Sequence, residues 1–299
     1  MEFSGEVCGL RSRSRLLNFF KLPTFKGHGQ QLLLASYSMA TYLDRILEFH
    51  RQRARNDSRD LKALLVECEQ LAPVKSLSGA LTADTGVSVI AEVKRRSPSK
   101  GALAEQLSVG ELVNLYAKGG ASAVSVLTDE EYFGGSLADL KTARAGCELP
   151  ILRKDFTVSP VDVVDARLAG ADAVLLIAAG LTPDEVALFT ELAHGIGLEV
   201  ILEVHSEDEL ELIHLADVDV VGVNQRDLVT FEIDTDRAVR LAAMIPDDRV
   251  RLAESGITSP EQLGPLREAG FDAVLIGESL VRSSDPAGLL GMYLEAGRI

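Results

Sequence analysis

The sequence predicts an α/β chain whose parallel strands close into a (βα)8 barrel, preceded by a helical extension. Three observations carry this. Eight apolar runs of strand length follow one another, at 87–93, 121–127, 149–154, 172–178, 198–204, 218–224, 249–255 and 273–277, with helical patterns between them. A short motif recurs: Ala169-Gly170-Ala171-Asp172-Ala173-Val174-Leu175 returns as Ala269-Gly270-Phe271-Asp272-Ala273-Val274-Leu275, with weaker copies starting at Gly119 and Ala216. The copies lie about 50 residues apart, the length of two βα units. No Gly-rich dinucleotide fingerprint follows any strand, which places a TIM barrel above the rival, an open doubly wound sheet.

The elements follow in order. From Met39 to about Leu71, Leu43, Ile46 and Leu47, then Leu61, Leu64 and Leu65, keep the 3.6-residue period, broken near Asn56-Asp57. Residues 39–86 therefore form the helical extension, and 39–299 one barrel domain. Several later helices announce their starts. Ser159-Pro160-Val161-Asp162 offers a cap, a proline at the first position and an acid in the first turn; Thr182-Pro183-Asp184-Glu185 and Ser259-Pro260-Glu261-Gln262 add a capping-box residue. Gly119-Gly120, Gly170, Gly195 and Gly270 mark helix ends. Pro265 should kink or shorten the helix after Ser259.

Residues 1–38 differ from the rest. They carry Arg11, Arg13, Arg15, Lys21 and Lys26 against Glu2 and Glu6, and four of the ten Phe, in a chain of net charge −15. An Arg/Ser-rich targeting segment has this composition. A start codon upstream of the true one at Met39 gives it too, and is the preferred reading; either way 1–38 stands outside the fold.

The acidic balance argues against a nucleic-acid partner, which needs a basic face. No apolar run approaches the roughly 18 residues of a membrane span. The 299 residues, 46% of them hydrophobic and none Trp, suffice for a large aliphatic core. Cys8, Cys68 and Cys147 lack motif spacing, which fits a reducing compartment. The five histidines have no ligand spacing, so no metal site is expected.

In a barrel the active site lies where the strands end. Side chains alternate along a strand, so Glu92 and Lys94 share one face at the end of the first, just before Ser97-Pro98 breaks the chain. The third strand contributes Lys154, the fifth Glu203, the sixth Asn224 and Arg226. The seventh ends in Glu254-Ser255-Gly256 and the eighth in Gly277-Glu278-Ser279. Two lysines, two carboxylates, an Asn and an Arg then face one cavity. The glycines after the last two strands suit a phosphate site built from backbone N–H groups. His205 is read as a surface or supporting residue.

Glu92-Val93-Lys94-Arg95-Arg96-Ser97-Pro98-Ser99-Lys100-Gly101, Leu152-Arg153-Lys154-Asp155-Phe156, Leu202-Glu203-Val204-His205, Asn224-Gln225-Arg226-Asp227-Leu228 and Glu254-Ser255-Gly256-Ile257 together resemble the indole-3-glycerol phosphate synthase family. So does Leu127-Thr128-Asp129 through Ser136. The resemblance runs from about Met39 to the C-terminus; Gln225, where the family more often has Asn, is a small departure. It implies a (βα)8 barrel with an extra N-terminal helical segment, acting without cofactor or metal on 1-(2-carboxyphenylamino)-1-deoxyribulose 5-phosphate. It implies Lys154 as the general acid at the C2 carbonyl, with Glu203 or Lys94 as the acid for dehydration. Glu92 is then a base or orients a lysine, and Asn224 holds a ribulose hydroxyl. Arg226 would bind the substrate carboxylate, and Phe133, Phe156 and Leu175 would wall the benzene ring. Ser255, Gly256, Gly277 and the Glu278 amide would hold the phosphate, helped by Lys94 and Ser97. Neighbouring lysines should lower each other's pKa. The resemblance further suggests a cytoplasmic monomer or weak homodimer, in contact with other tryptophan-pathway enzymes. The rivals are a Schiff-base aldolase and a barrel that only binds phosphosugars; borohydride trapping of an imine separates the first from a synthase.

Overall fold

The computed structural model describes residues 41–97, 101, 102 and 108–298; the reading of 1–38 lies outside the described residues. Eight strands form a closed barrel: β1 Ser88–Val93, β2 Ala123–Leu127, β3 Ile151–Lys154, β4 Ala173–Ile177, β5 Glu199–Val204, β6 Val220–Asn224, β7 Val250–Glu254 and β8 Ala273–Ile276. Each pairs in parallel with its sequence neighbours, and β8 closes onto β1. Alternation splits the side chains of each strand. Ile90, Leu152, Leu175, Ile201, Val220, Leu252 and Leu275 point inward and fill the barrel. Val89, Ala91, Val174, Leu202, Val221 and Ala253 point outward into the layer beneath the helices.

The extension makes three helices, α1 Tyr42–Asn56, α2 Leu61–Cys68 and α3 Leu77–Leu81. Thr41 caps α1 in a reciprocal capping box with Asp44, and Asp60 caps α2 after the expected break. On α3, Leu77 and Leu81 are fully buried and pack with the barrel-interior residues, plugging the end where the strands begin. The opposite end stays open.

The predicted caps form at Ser159 and Thr182, and Ser259 opens a tight turn, Pro260–Gln262, before a helix of six residues, Leu263–Glu268, that contains Pro265. The stop expected at Gly195 is present. Gly195 ends the helix, and Gly197 takes the left-handed backbone, with φ +87°.

The repeat has a structural cause. Asp172, Asp219 and Asp272 each accept, at 2.8 Å, the backbone N–H of the first or second residue of the preceding strand, from Ile151, Val200 and Arg251. Each aspartate thus ties its own strand to the one before it. Asp172 is buried and also accepts from Lys75 N and Arg144. Asp172→Ala should lower the unfolding free energy by about 1–3 kcal/mol for each buried donor left unpaired. Urea unfolding measures this; wild-type stability would contradict the assigned role.

Candidate active site

A cavity of about 310 Å³ occupies the open end of the barrel. Glu92, Lys94, Phe133, Lys154, Phe156, Leu175, Glu203, Asn224, Arg226, Ser255, Gly256, Gly277 and Glu278 all line it. Of the residues singled out from sequence, Ser97 is the exception. Its backbone pairs with Gly101, and its side chain lies outside the described residues.

The strand register explains the convergence. Leu127 pairs with Lys154, Ile177 with Glu203, Glu203 with Gly222, and Asn224 with Glu254, so the last inward position of successive strands falls in one layer. Lys154 Nζ donates to Glu203 Oε2 at 2.5 Å and to Glu254 Oε2 at 2.8 Å. Asn224 Nδ2 donates to Glu203 Oε1 at 2.9 Å. Across the cavity Lys94 pairs with Glu92. Two glycines make room for these carboxylates: a Cβ at Gly222 would strike that of Glu254, and one at Gly277 that of Glu92.

Burial and charge set the proton positions. Burial alone would drive Lys154 toward the neutral amine, but Glu203, Glu254 and Glu92 outweigh it and raise its pKa. This corrects the expectation that neighbouring lysines depress one another. Nearby carboxylates, not the other lysine, dominate here. Burial pushes Glu203 upward, yet Lys154 and His205 hold it well below the usual carboxylate range. Glu254 goes the other way: burial, then repulsion from Glu203, outweigh Lys154 and push it up to about 7. Burial opposes charge on His205 as well, but Glu203 and Glu209 raise its pKa to about 9. His205 lies 3.4 Å from Glu203, so it adjoins the cluster and is no surface residue.

Arg226 donates to the Phe231 carbonyl at 3.1 Å, and its backbone N–H donates to Asn224 Oδ1. Gln225 points away from both neighbours, as alternation requires, but it is buried and donates to the Ser255 carbonyl at 2.8 Å. Ser255 holds a left-handed backbone, φ +64°, followed by Gly256 at φ +74°. That conformation costs a serine about 1–3 kcal/mol, so Gln225 secures a strained turn at the cavity wall. Phe133 and Phe156 lie side by side, ring centres 6.3 Å apart.

Sequence reasoning left three lining carboxylates out of the ring. Glu254 was visible as a strand end. Asp129 and Asp155 stood within the motifs that carry the family resemblance but were given no role, because their partner His50 comes from α1, 79 residues before Asp129. One ligand atom from each of His50, Asp129 and Asp155 lies within 4.8 Å of the others, close enough to share a cation. All four carboxylate oxygens there already accept hydrogen bonds: from Tyr132 N and Phe133 N, from His50, from Phe156 N, and from Thr128 and Arg153. The arrangement suits anchoring better than cation binding.

This is the layout of a (βα)8-barrel enzyme whose acid–base groups converge on one cavity at the strand ends. Residues 41–290 match the family model for indole-3-glycerol phosphate synthase. The chain is 52% identical over 203 residues to the indole-3-glycerol phosphate synthase of Nocardioides sp., covering 68% of this chain and 78% of that one. It is 44% identical over 260 residues to that of Micrococcus luteus, covering 85% and 97%. Among solved structures, tryptophan synthase subunit alpha from Legionella pneumophila matches with a TM-score of 0.54 at 16% identity, over 74% of this chain and 96% of that one, a likeness of fold alone. The chain belongs to the indole-3-glycerol phosphate synthase family, and it is a carboxy-lyase of tryptophan biosynthesis.

The raised pKa of Glu254 has a thermodynamic signature. Above its ordinary 4.5, the folded protein binds this proton more tightly than the unfolded chain. The associated stability is full below about pH 4.5 and is lost as pH rises through about 7. Glu254→Gln should therefore gain on the wild type by up to about 1.4 kcal/mol per pH unit across that window. Denaturant unfolding of both proteins at several pH values measures the slope, and a pH-independent difference would contradict it.

Proposed function

We propose that the family's reaction runs on this cluster with Lys154 as the acid of ring closure. The observation that carries this is the Lys154 ammonium held at the cavity by Glu203 and Glu254. It keeps its proton at neutrality and offers it to the C2 carbonyl oxygen of 1-(2-carboxyphenylamino)-1-deoxyribulose 5-phosphate. C2 becomes electrophilic, and the ring carbon bearing the carboxylate attacks it. The C–CO2 bond then breaks, and its electron pair restores the aromatic ring. Loss of the C2 hydroxyl as water follows, with a proton given to the hydroxyl and another removed from C1.

For that second acid we favour Lys94 over Glu203. Lys154 and His205 keep Glu203 ionised, so it has no proton to give near neutrality, and Lys94 sits beside Glu92, which serves as base. Asn224 positions a ribulose hydroxyl and Glu203 together. Arg226 takes the anthranilate carboxylate, while Phe133, Phe156 and Leu175 wall the benzene ring. The phosphate goes to the backbone of Ser255, Gly256, Gly277 and Glu278, with Arg282, which also lines the cavity, adding charge. A lysine paired in this way is a poor imine former, since that chemistry needs the free amine. The Schiff-base reading is therefore not favoured.

The setting proposed is the cytoplasm. Cys68 and Cys147 are buried and unpaired, as in a reducing compartment, and no helix among the described residues is long and apolar enough to cross a membrane.

Carbon dioxide release and indole fluorescence separate the two stages. Lys154→Ala should lose roughly 10²–10⁴ of both signals while remaining folded. Lys94→Ala should release carbon dioxide without matching indole. Near wild-type turnover by the first variant would overturn the Lys154 assignment, and equal loss of both signals in the second would overturn that of Lys94.

A further inference from the structure

The α1 helix lies outside the barrel, yet one of its side chains reaches the cavity lining. His50 is 1% exposed, and its Nε2 lies 2.7 Å from Asp129 Oδ2. A carboxylate only accepts, so Nε2 carries the proton. The other carboxylate oxygen, Asp129 Oδ1, accepts from Tyr132 N at 2.6 Å and Phe133 N at 2.9 Å. The imidazole also lies 5.5 Å from the Phe156 ring, tilted by 35°, and Phe156 in turn neighbours Phe133. His50 thus touches both halves of the aromatic wall, one through Asp129 and one directly.

Stability alone gives little reason for a histidine here. Its Nδ1 is buried with no hydrogen-bond partner among the described residues, an arrangement that costs free energy. The same helix grips the loop after β2 in other ways. Tyr42 meets Tyr132 edge-on at 5.7 Å and Phe231, another cavity residue, at 5.1 Å. Tyr132 Oη donates to the Arg45 carbonyl at 3.4 Å.

We propose that His50 is a positioning residue for substrate binding: it fixes the Asp129 carboxylate, and through its two amide bonds sets Phe133 against Phe156. The inference rests on the reading of Phe133 and Phe156 as the wall for the benzene ring. A flexible loop here would leave the ring slot open part of the time. Substrate affinity would then suffer more than the proton transfers, whose lysines are held by other partners, Lys154 by Glu203 and Glu254 and Lys94 by Glu92.

Two substitutions test it. His50→Leu keeps bulk but removes the donor; His50→Gln restores an N–H donor of similar reach. In the substrate-free protein, amide exchange at Tyr132 and Phe133 should quicken roughly 10-fold in His50→Leu, the loss expected for one hydrogen bond to a charged group, and return toward wild type in His50→Gln. KM should rise by the same factor, roughly 10-fold, while kcat falls less than about 3-fold. Unchanged exchange and KM in a folded His50→Leu overturn the proposal, as does a His50→Gln no better than His50→Leu. Should His50→Leu fail to fold, His50→Phe reads the same link, because it keeps an aromatic ring beside Phe156 and removes the N–H donor to Asp129; an unchanged KM there overturns the proposal. A wild-type protein that ignores the carboxyphenylamino substrate sinks the functional reading instead, while the exchange data still decide on His50.

Discussion

The ammonium of Lys154 between the carboxylates of Glu203 and Glu254 is the contact around which the open end of this barrel is arranged. Placing three carboxylates, Glu92, Glu203 and Glu254, in one nearly dry layer is costly unless cations meet them. Lys154, Lys94 and, beside Glu203, His205 supply positive charge, while burial and repulsion from Glu203 keep a proton on Glu254 up to about pH 7. The result is a cluster with one firm proton donor, one firmly ionised carboxylate and one group poised near neutrality. Such separation of proton affinities is what sequential acid–base steps need.

Everything around the cluster preserves that separation. Gly222 and Gly277 leave space for the carboxylates of Glu254 and Glu92. Asn224 and His205 crowd Glu203 from its other side, so that it cannot swing away from Lys154. At the far end of the barrel, Leu77 and Leu81 close the interior and the repeated aspartates bind strand to strand. The stability functions and the chemical functions thus occupy opposite ends, as parallel-barrel geometry allows.

Much of this was legible in the sequence, for physical reasons. Apolar runs ending in charge, as at Ile90-Ala91-Glu92 or Ile201-Leu202-Glu203, declare buried strands that reach a polar end, and period-two alternation identifies which charge faces inward. Proline and capping residues at Ser159 and Thr182 fix helix starts because those rules are local. What stayed hidden depends on contacts between distant segments. Nothing local to His50 marks it as a partner of Asp129. Glu254 was seen as a strand end, but its raised proton affinity arises from its burial and from Glu203 on another strand, against the opposing pull of Lys154. His205 looked peripheral because it follows the strand rather than ending it. The direction of the Lys154 shift was misread for a similar cause, since sequence displays the two lysines but not how many carboxylates each one meets.

The central claim is that Lys154 carries its proton throughout the working range because carboxylates surround it. Direct titration of the Lys154 Nζ by NMR, in protein carrying isotope-labelled lysine, tests it without any substrate. The ammonium should persist above the ordinary lysine value of 10.5, and Glu203→Gln should lower the midpoint. A midpoint at or below 10.5 in the wild type, or one indifferent to Glu203, would contradict the account.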